Sequence, residues 1–214
     1  MPPASTSQAQ PAQQDPDTLT RIGGWLFKKR SSLPLPIVAA LLLVPQPSGT
    51  TGPAGLVPTG VVFVALGELI RLWGVHHIGA ISRTRSDRLG PLVDSGPFAR
   101  VRNPLYVGNV LLWLGFTISA RLVWLAPIVV VLLGLEYHAI VRWEERLLEG
   151  RMGQAYRDYM HRVPRWLPKL STSNRAPDMQ PTAFSWSDTL FSERGTMVAI
   201  AAGYILLGLK ARLG

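Results

Sequence analysis

Two short stretches carry side chains able to do chemistry. The first, "RVRNPLYVGN" over 100–109, sets Arg102, Asn103, Pro104, Tyr106 and Gly108 against an apolar run that begins at Leu105. The second, "VRWEERLLEGRMGQAYRDYMHRVPRWLP" over 141–168, carries the adjacent acids Glu144 and Glu145, then Tyr156 and Tyr159. Proline suits the first position of a helix, where a missing N–H costs nothing, and asparagine before it is a favoured N-cap. The expected helix therefore starts at Pro104 and turns its free N–H groups toward one face of the protein. Such an end accepts a carboxylate or a phosphate, and Arg102 adds a fixed cation beside it. Glu144 and Glu145 offer the opposite charge, suited to an amine or to ribose hydroxyls. A blander reading competes, in which 141–168 is a solvated helix laced with ion pairs and carrying interface aromatics.

Those groups must be positioned by apolar segments. The chain has 214 residues, 47% hydrophobic and 16% charged. The apolar residues are gathered in blocks, the pattern of a small multi-span membrane protein. Residues 1–19 are too poor in apolar side chains to order and are expected to be a disordered tail. The core is expected over 20–170, with a C-terminal extension over 171–214. Expected spans fall at 33–44, 55–75, 105–119 and 122–140, and a possible fifth at 196–209. Little more than Ala120 and Arg121 separates the third from the fourth, which forces an antiparallel helical hairpin. The two chemically equipped stretches lie at opposite ends of that hairpin and so meet at one membrane face.

Arginines at 83, 85, 88, 100 and 102, and again from 142 to 165, lie on that same side of the expected spans. A Lys/Arg excess marks the cytoplasmic side, so the site is expected to face the cytoplasm. The net charge of +9 is accounted for by this flanking charge, and no basic domain stands apart from the spans to suggest nucleic acid. Cysteine is absent, which excludes a disulfide framework, a thiolate metal site and a cysteine nucleophile. Glu68 and Arg71 share a helix face inside the second span, as a local ion pair or as part of a site. His76 and His77 point to different helix faces with no carboxylates beside them, so no metal site is expected.

In order along the chain stand "GPFARVRNPLYVGN", the Glu144–Glu145 pair, Gly153 with Tyr156 and Tyr159, and "VPRWLP". This combination, over about 60–168, resembles the integral-membrane methyltransferases that include isoprenylcysteine carboxyl methyltransferase and the phospholipid N-methyltransferases. The resemblance implies an all-α polytopic helical bundle in which a cytoplasmic helical segment completes a pocket for S-adenosylmethionine. A lipophilic or lipid-linked acceptor enters from the membrane lipids. Arg102, Asn103, Pro104, Tyr106 and Gly108 form one wall of that pocket, and Glu144, Glu145 and Tyr156 the other. Arg102 and Glu145 are the pair expected at the catalytic centre. Gly108, lacking a Cβ, is expected to let the cofactor approach the helix backbone.

Many eukaryotic members carry histidine where Asn103 stands. An amide does not titrate near neutrality, which leaves no general base at this position; an acceptor that is already a nucleophile, such as a carboxylate or thiolate, requires none. Two other classes share some of these features. Small membrane reductases of sterols and enones have a similar helical core and would bind NADPH. A non-enzymatic membrane scaffold would need no pocket at all, and would leave the adjacent Glu144 and Glu145 without a role.

Overall fold

The computed structural model describes residues 17–46, 55–79, 92–170 and 185–213. Among them every regular element is helical, with no strand: α1 (Thr18–Lys29), α2 (Leu35–Leu43), α3 (Leu56–Ile78), α4 (Pro104–Ser119), α5 (Ala126–Met152), α6 (Gln154–Arg162) and α7 (Trp186–Leu213). Short 3-10 turns sit at Gly96–Ala99 and Val123–Leu125. The expected tail lies outside the described residues as far as residue 16, as do residues 47–54 and the loop arginines 83, 85 and 88.

Among the described residues three helical stretches are long and apolar enough to cross a membrane: Leu56–Ile78, Val123–Met152 and Trp186–Leu213. Along them large apolar side chains such as Leu69, Leu135 and Val198 are more than half exposed, as lipid-facing residues are. α4 is apolar but has 16 residues. Two segments differ from expectation. The first apolar run yields only the nine-residue α2. Pro34 and Pro36 sit at its start, and Pro45 drives Val44 into an extended conformation that ends it. The last segment, expected over 196–209, is a helix of 28 residues, because its polar first turns find partners on α3.

α3 and α4 are antiparallel and pack through glycines spaced seven residues apart. A Cβ on Gly60 would stand 2.5 Å from the Gly115 carbonyl oxygen, and one on Gly67 would stand 2.6 Å from that of Gly108. Small residues at such contacts let helix backbones approach within a membrane, where the hydrophobic effect does not drive association. α1 lies on α5 in the same way: a Cβ on Gly24 would meet the Trp143 ring at 2.8 Å. A buried cluster of Ile37, Leu41, Leu122, Val129, Leu133 and Ile140 joins α2 to α5, and Trp166 packs against it.

The hairpin between α4 and α5 turns at Arg121, whose φ of 61° is left-handed. α5 then runs unbroken through Glu144 and Glu145 to Met152, where Gly153 takes φ 57° and starts α6. The α3–α4 seam predicts a contrast between two glycines. Gly67→Ala should destabilise the bundle by about 1–3 kcal/mol through overpacking. Gly134→Ala, in open space on α5, should be neutral or slightly stabilising. Thermal unfolding in detergent measures both; equal midpoints would show that the seam tolerates a methyl group.

Candidate functional site

Three segments converge at the start of α4. α4 brings Arg102 and Asn103 just ahead of Pro104, and α5 brings Glu144 and Glu145. Residues 163–170, released from α6 by Pro164, return between them. The returning strand of chain is tied to the entrance of α4 by its backbone. Arg102 N–H donates to the Pro164 carbonyl at 2.9 Å, and Lys169 N–H donates to the Arg100 carbonyl at 3.1 Å. The Gly96–Ala99 turn, opened by Gly96 at φ 57°, docks on α6, where the Tyr159 hydroxyl donates to the Phe98 carbonyl at 2.9 Å.

Glu145 receives two arginines. Its Oε1 lies 2.9 Å from Arg102 Nη1. Arg165 grips the same carboxylate with two bonds, from Nε at 3.1 Å and from Nη2 at 2.6 Å. The side chain of Glu145 is 8% exposed, that of Arg102 11% and that of Arg165 30%, so the first two sit in low dielectric. Arg102 meets the carboxylate at ion-pair distance but off the hydrogen-bonding direction. Its Nε and Nη1 are buried with no well-directed acceptor. Buried donors left in this state are costly and mark a place where a partner belongs.

Tyr106, one turn into α4, donates its hydroxyl to Glu144 Oε2 at 3.0 Å, and its ring lies 4.8 Å from that of Tyr137. Arg30, at the end of α1, is within electrostatic reach of Glu144 and Tyr106. Tyr156 is buried beside Tyr159, ring centroids 5.8 Å apart, with Arg102 and Glu145 acting on its hydroxyl. Burial pushes the hydroxyls of Tyr156 and Tyr159 well above the usual tyrosine range, so both stay protonated at neutral pH.

The structure thus brings together Arg102, Asn103, Pro104, Tyr106, Glu144, Glu145 and Tyr156. Two readings change. Asn103 stands at the N-cap position but makes no capping bond; its amide donates instead to the Arg165 carbonyl at 3.2 Å. Gly108 faces α3 and not the Glu145 cluster. A Cβ there would meet the Arg71 side chain and the Gly67 carbonyl oxygen, each at 2.7 Å, so its lack of a side chain serves the helix seam. Sequence reasoning missed Arg165 as a partner of Glu145. The "VPR" that follows α6 was the available signal, but only the path of the returning chain shows where the guanidinium goes.

Sequence reasoning also missed the full company of Arg71. Its Nη1 donates to Asn109 Oδ1 at 2.5 Å and its Nη2 to Glu193 Oε2 at 2.6 Å. Glu68 lies 3.6 Å from its Nε. The cluster therefore joins α3, α4 and α7. His76 stacks on Trp186, centroids 4.2 Å apart, and His77 bonds the Trp73 carbonyl at 2.9 Å. Among the described residues no group of three or more His, Cys, Asp or Glu is placed to hold a metal ion.

Comparison with known proteins adds to this geometry. A family model described as phospholipid methyltransferase matches residues 56–155, from the start of α3 into α6. The chain is similar to nickel-cobalt-cadmium resistance protein NccN of Alcaligenes xylosoxydans xylosoxydans, 30% identical over 154 residues, 72% of this chain and 67% of that protein. It is also similar to cobalt-zinc-cadmium resistance protein CzcN of Cupriavidus metallidurans, 30% identical over 116 residues, 54% of this chain and 50% of that protein.

The double pairing at Glu145 predicts an order of stabilities. Glu145→Gln strands two partly buried guanidinium groups and should cost about 3–5 kcal/mol. Arg165→Gln leaves Glu145 still facing Arg102 and should cost about 1–2 kcal/mol. Unfolding of the purified variants in detergent tests this, and the reverse order would remove Glu145 from the centre of the arrangement.

Proposed function

Because the chain belongs to the phospholipid methyltransferase family, we propose that it transfers a methyl group from S-adenosylmethionine to a lipophilic or membrane-associated acceptor bearing a carboxylate, amine or thiol. The observation that carries this reading is the state of Arg102: a buried guanidinium with two N–H-bearing nitrogens lacking a well-directed acceptor, beside an α4 N-terminus that has no side-chain cap. Members of the family generally use S-adenosylmethionine, and the residues fit it. Its amino-acid end is zwitterionic, and Arg102, Arg165, Glu144 and Glu145 make a balanced set of two cations and two anions.

When bound, the cofactor supplies an electrophilic methyl on a sulfonium sulfur. The chain's own residues then bind and orient. Arg102 and the first turn of α4 hold the carboxylate. Glu144, kept in place by Tyr106, takes the ammonium or the ribose hydroxyls, and Tyr156 walls the site. Arg165 acts through Glu145, whose position sets that of Arg102. Positioning and exclusion of water are the main contributions in such a site, and Asn103 provides no titrating base.

In this reading the site faces the cytoplasm. The arginines at 100, 102, 142, 146, 157, 162 and 165 gather at its end of the bundle, against Arg121, Lys210 and Arg212 at the other. The described residues then make five crossings, by 31–46, α3, α4, α5 and α7. The first crossing starts near Glu144, within whose reach Arg30 lies. It ends where Lys210 of α7 donates to the carbonyls of Leu41 and Val44 at 2.7 and 2.5 Å.

Calorimetric titration of the detergent-purified chain tests the proposal. S-adenosylhomocysteine should bind saturably and NADPH should not. Arg102→Ala should weaken binding by at least about tenfold, given the 1.5–3 kcal/mol typical of a hydrogen bond to a charged group. Tyr106→Phe, losing one neutral donor worth about 1 kcal/mol, should weaken it about fivefold. NADPH binding without S-adenosylhomocysteine binding would replace this reading with a reductase, and binding of neither with a scaffold.

A further inference from the structure

α1 has a face that the α5 contact leaves open. Thr20, Gly23 and Gly24 are buried, whereas Arg21, Ile22, Trp25, Lys28 and Lys29 are exposed. Helical spacing divides the open face into two edges. Arg21 and Lys28, two turns apart, stand on one. Ile22 and Leu26, one turn apart, stand on the other, and Trp25 and Lys29 lie between. Ile22 is 46% exposed and Trp25 59%. Among the described residues of this helix and its cap the only acid is Asp17, which is already engaged: it caps Thr20 N–H at 2.9 Å and pairs with Arg142 at 2.8 Å.

The basic edge is therefore not neutralised from within α1. The helix starts beside Arg142 and ends with Arg30 near Glu144, so it lies at the level where α5 leaves the apolar layer. An apolar edge, a tryptophan and a row of lysines at that depth are the makings of a helix lying in the plane of the membrane surface. Lysine and arginine near an anionic leaflet each contribute about 1 kcal/mol of attraction.

We propose that α1 is a docking surface for anionic phospholipid headgroups, with Arg21, Lys28 and Lys29 meeting the phosphates and Trp25 and Ile22 seated at the acyl boundary. The occupant is lipid of the membrane that the chain spans. The surface adjoins the Glu144 side of the candidate site through Arg30, so the lipid it selects is gathered next to that site. The inference stands whether or not the chain is a methyltransferase, since it uses none of the residues assigned to the cofactor.

Brominated lipids provide the test. The full chain is reconstituted in nanodiscs of phosphatidylcholine in which a small fraction is either phosphatidylglycerol or phosphatidylcholine brominated high in the acyl chain. Quenching of Trp25 is read as the difference between the natural chain and Trp25→Phe. Phosphatidylglycerol should be enriched around Trp25 about fivefold or more, the equivalent of one lysine's attraction. Lys28→Gln with Lys29→Gln, both at exposed positions, should bring the ratio toward one, as should raising the salt to about 1 M. Equal quenching by the two lipids in the natural chain, or an enrichment unchanged in the double variant, overturns the proposal.

Discussion

Glu145 stands between guanidinium groups that arrive from two directions, one just ahead of α4 and one from the chain returning after α6. Taking ions out of water costs several kcal/mol each, and their mutual attraction repays this only with good geometry. Arg165 has that geometry and Arg102 does not. The carboxylate is consequently committed to Arg165 and only leans on Arg102. The returning chain's other ties are a few backbone and amide bonds and the packing of Trp166 on the buried cluster, and none of these fixes a charge at the entrance of α4. The arrangement at the start of α4 is drawn together around one acid that is shared unequally.

The α3–α4 seam sets the frame in which this sharing takes place. Glycines at 60, 67, 108 and 115 bring the two backbones close enough that α4 has little freedom to rotate about its axis. Rotation would turn Tyr106 away from Glu144 and Asn109 away from Arg71. The seam and the site are on different faces of α4, and each depends on the same helix orientation. Gly108 belongs to the first, although its place between Tyr106 and Asn109 in the chain suggests the second.

Much of this was readable from residues alone, and the misreadings have common causes. Pro104 as a helix start, the tight turn at Ala120–Arg121 and the passage of α5 through Glu144 and Glu145 follow from local rules of backbone geometry, whereas the break at Gly153 was not read. Asn103 took its preferred position, but its side chain donates through Nδ2 to the carbonyl of a distant residue and makes no capping bond. A glycine in a helix is equally consistent with a close ligand and a close neighbour, and only the partner helix distinguishes them. Arg165 lies in irregular chain, where periodicity says nothing about direction. The prolines that shorten α2 were visible; the length of α7 was not, because its first turns read as polar loop until Arg71 is set opposite Glu193.

That last pairing bears on how the bundle is made. Arg71 enters the bilayer with α3, early in synthesis, with Glu68 on its own helix. Glu193 is delivered by α7, which leaves the ribosome more than a hundred residues later and lies beyond the family-matched region. Until then the guanidinium between α3 and α4 lacks its nearest counter-charge. The pairing of Arg71 is therefore complete only once α7 lies beside α3 and α4, so electrostatics set up by helices made early depend on one made later.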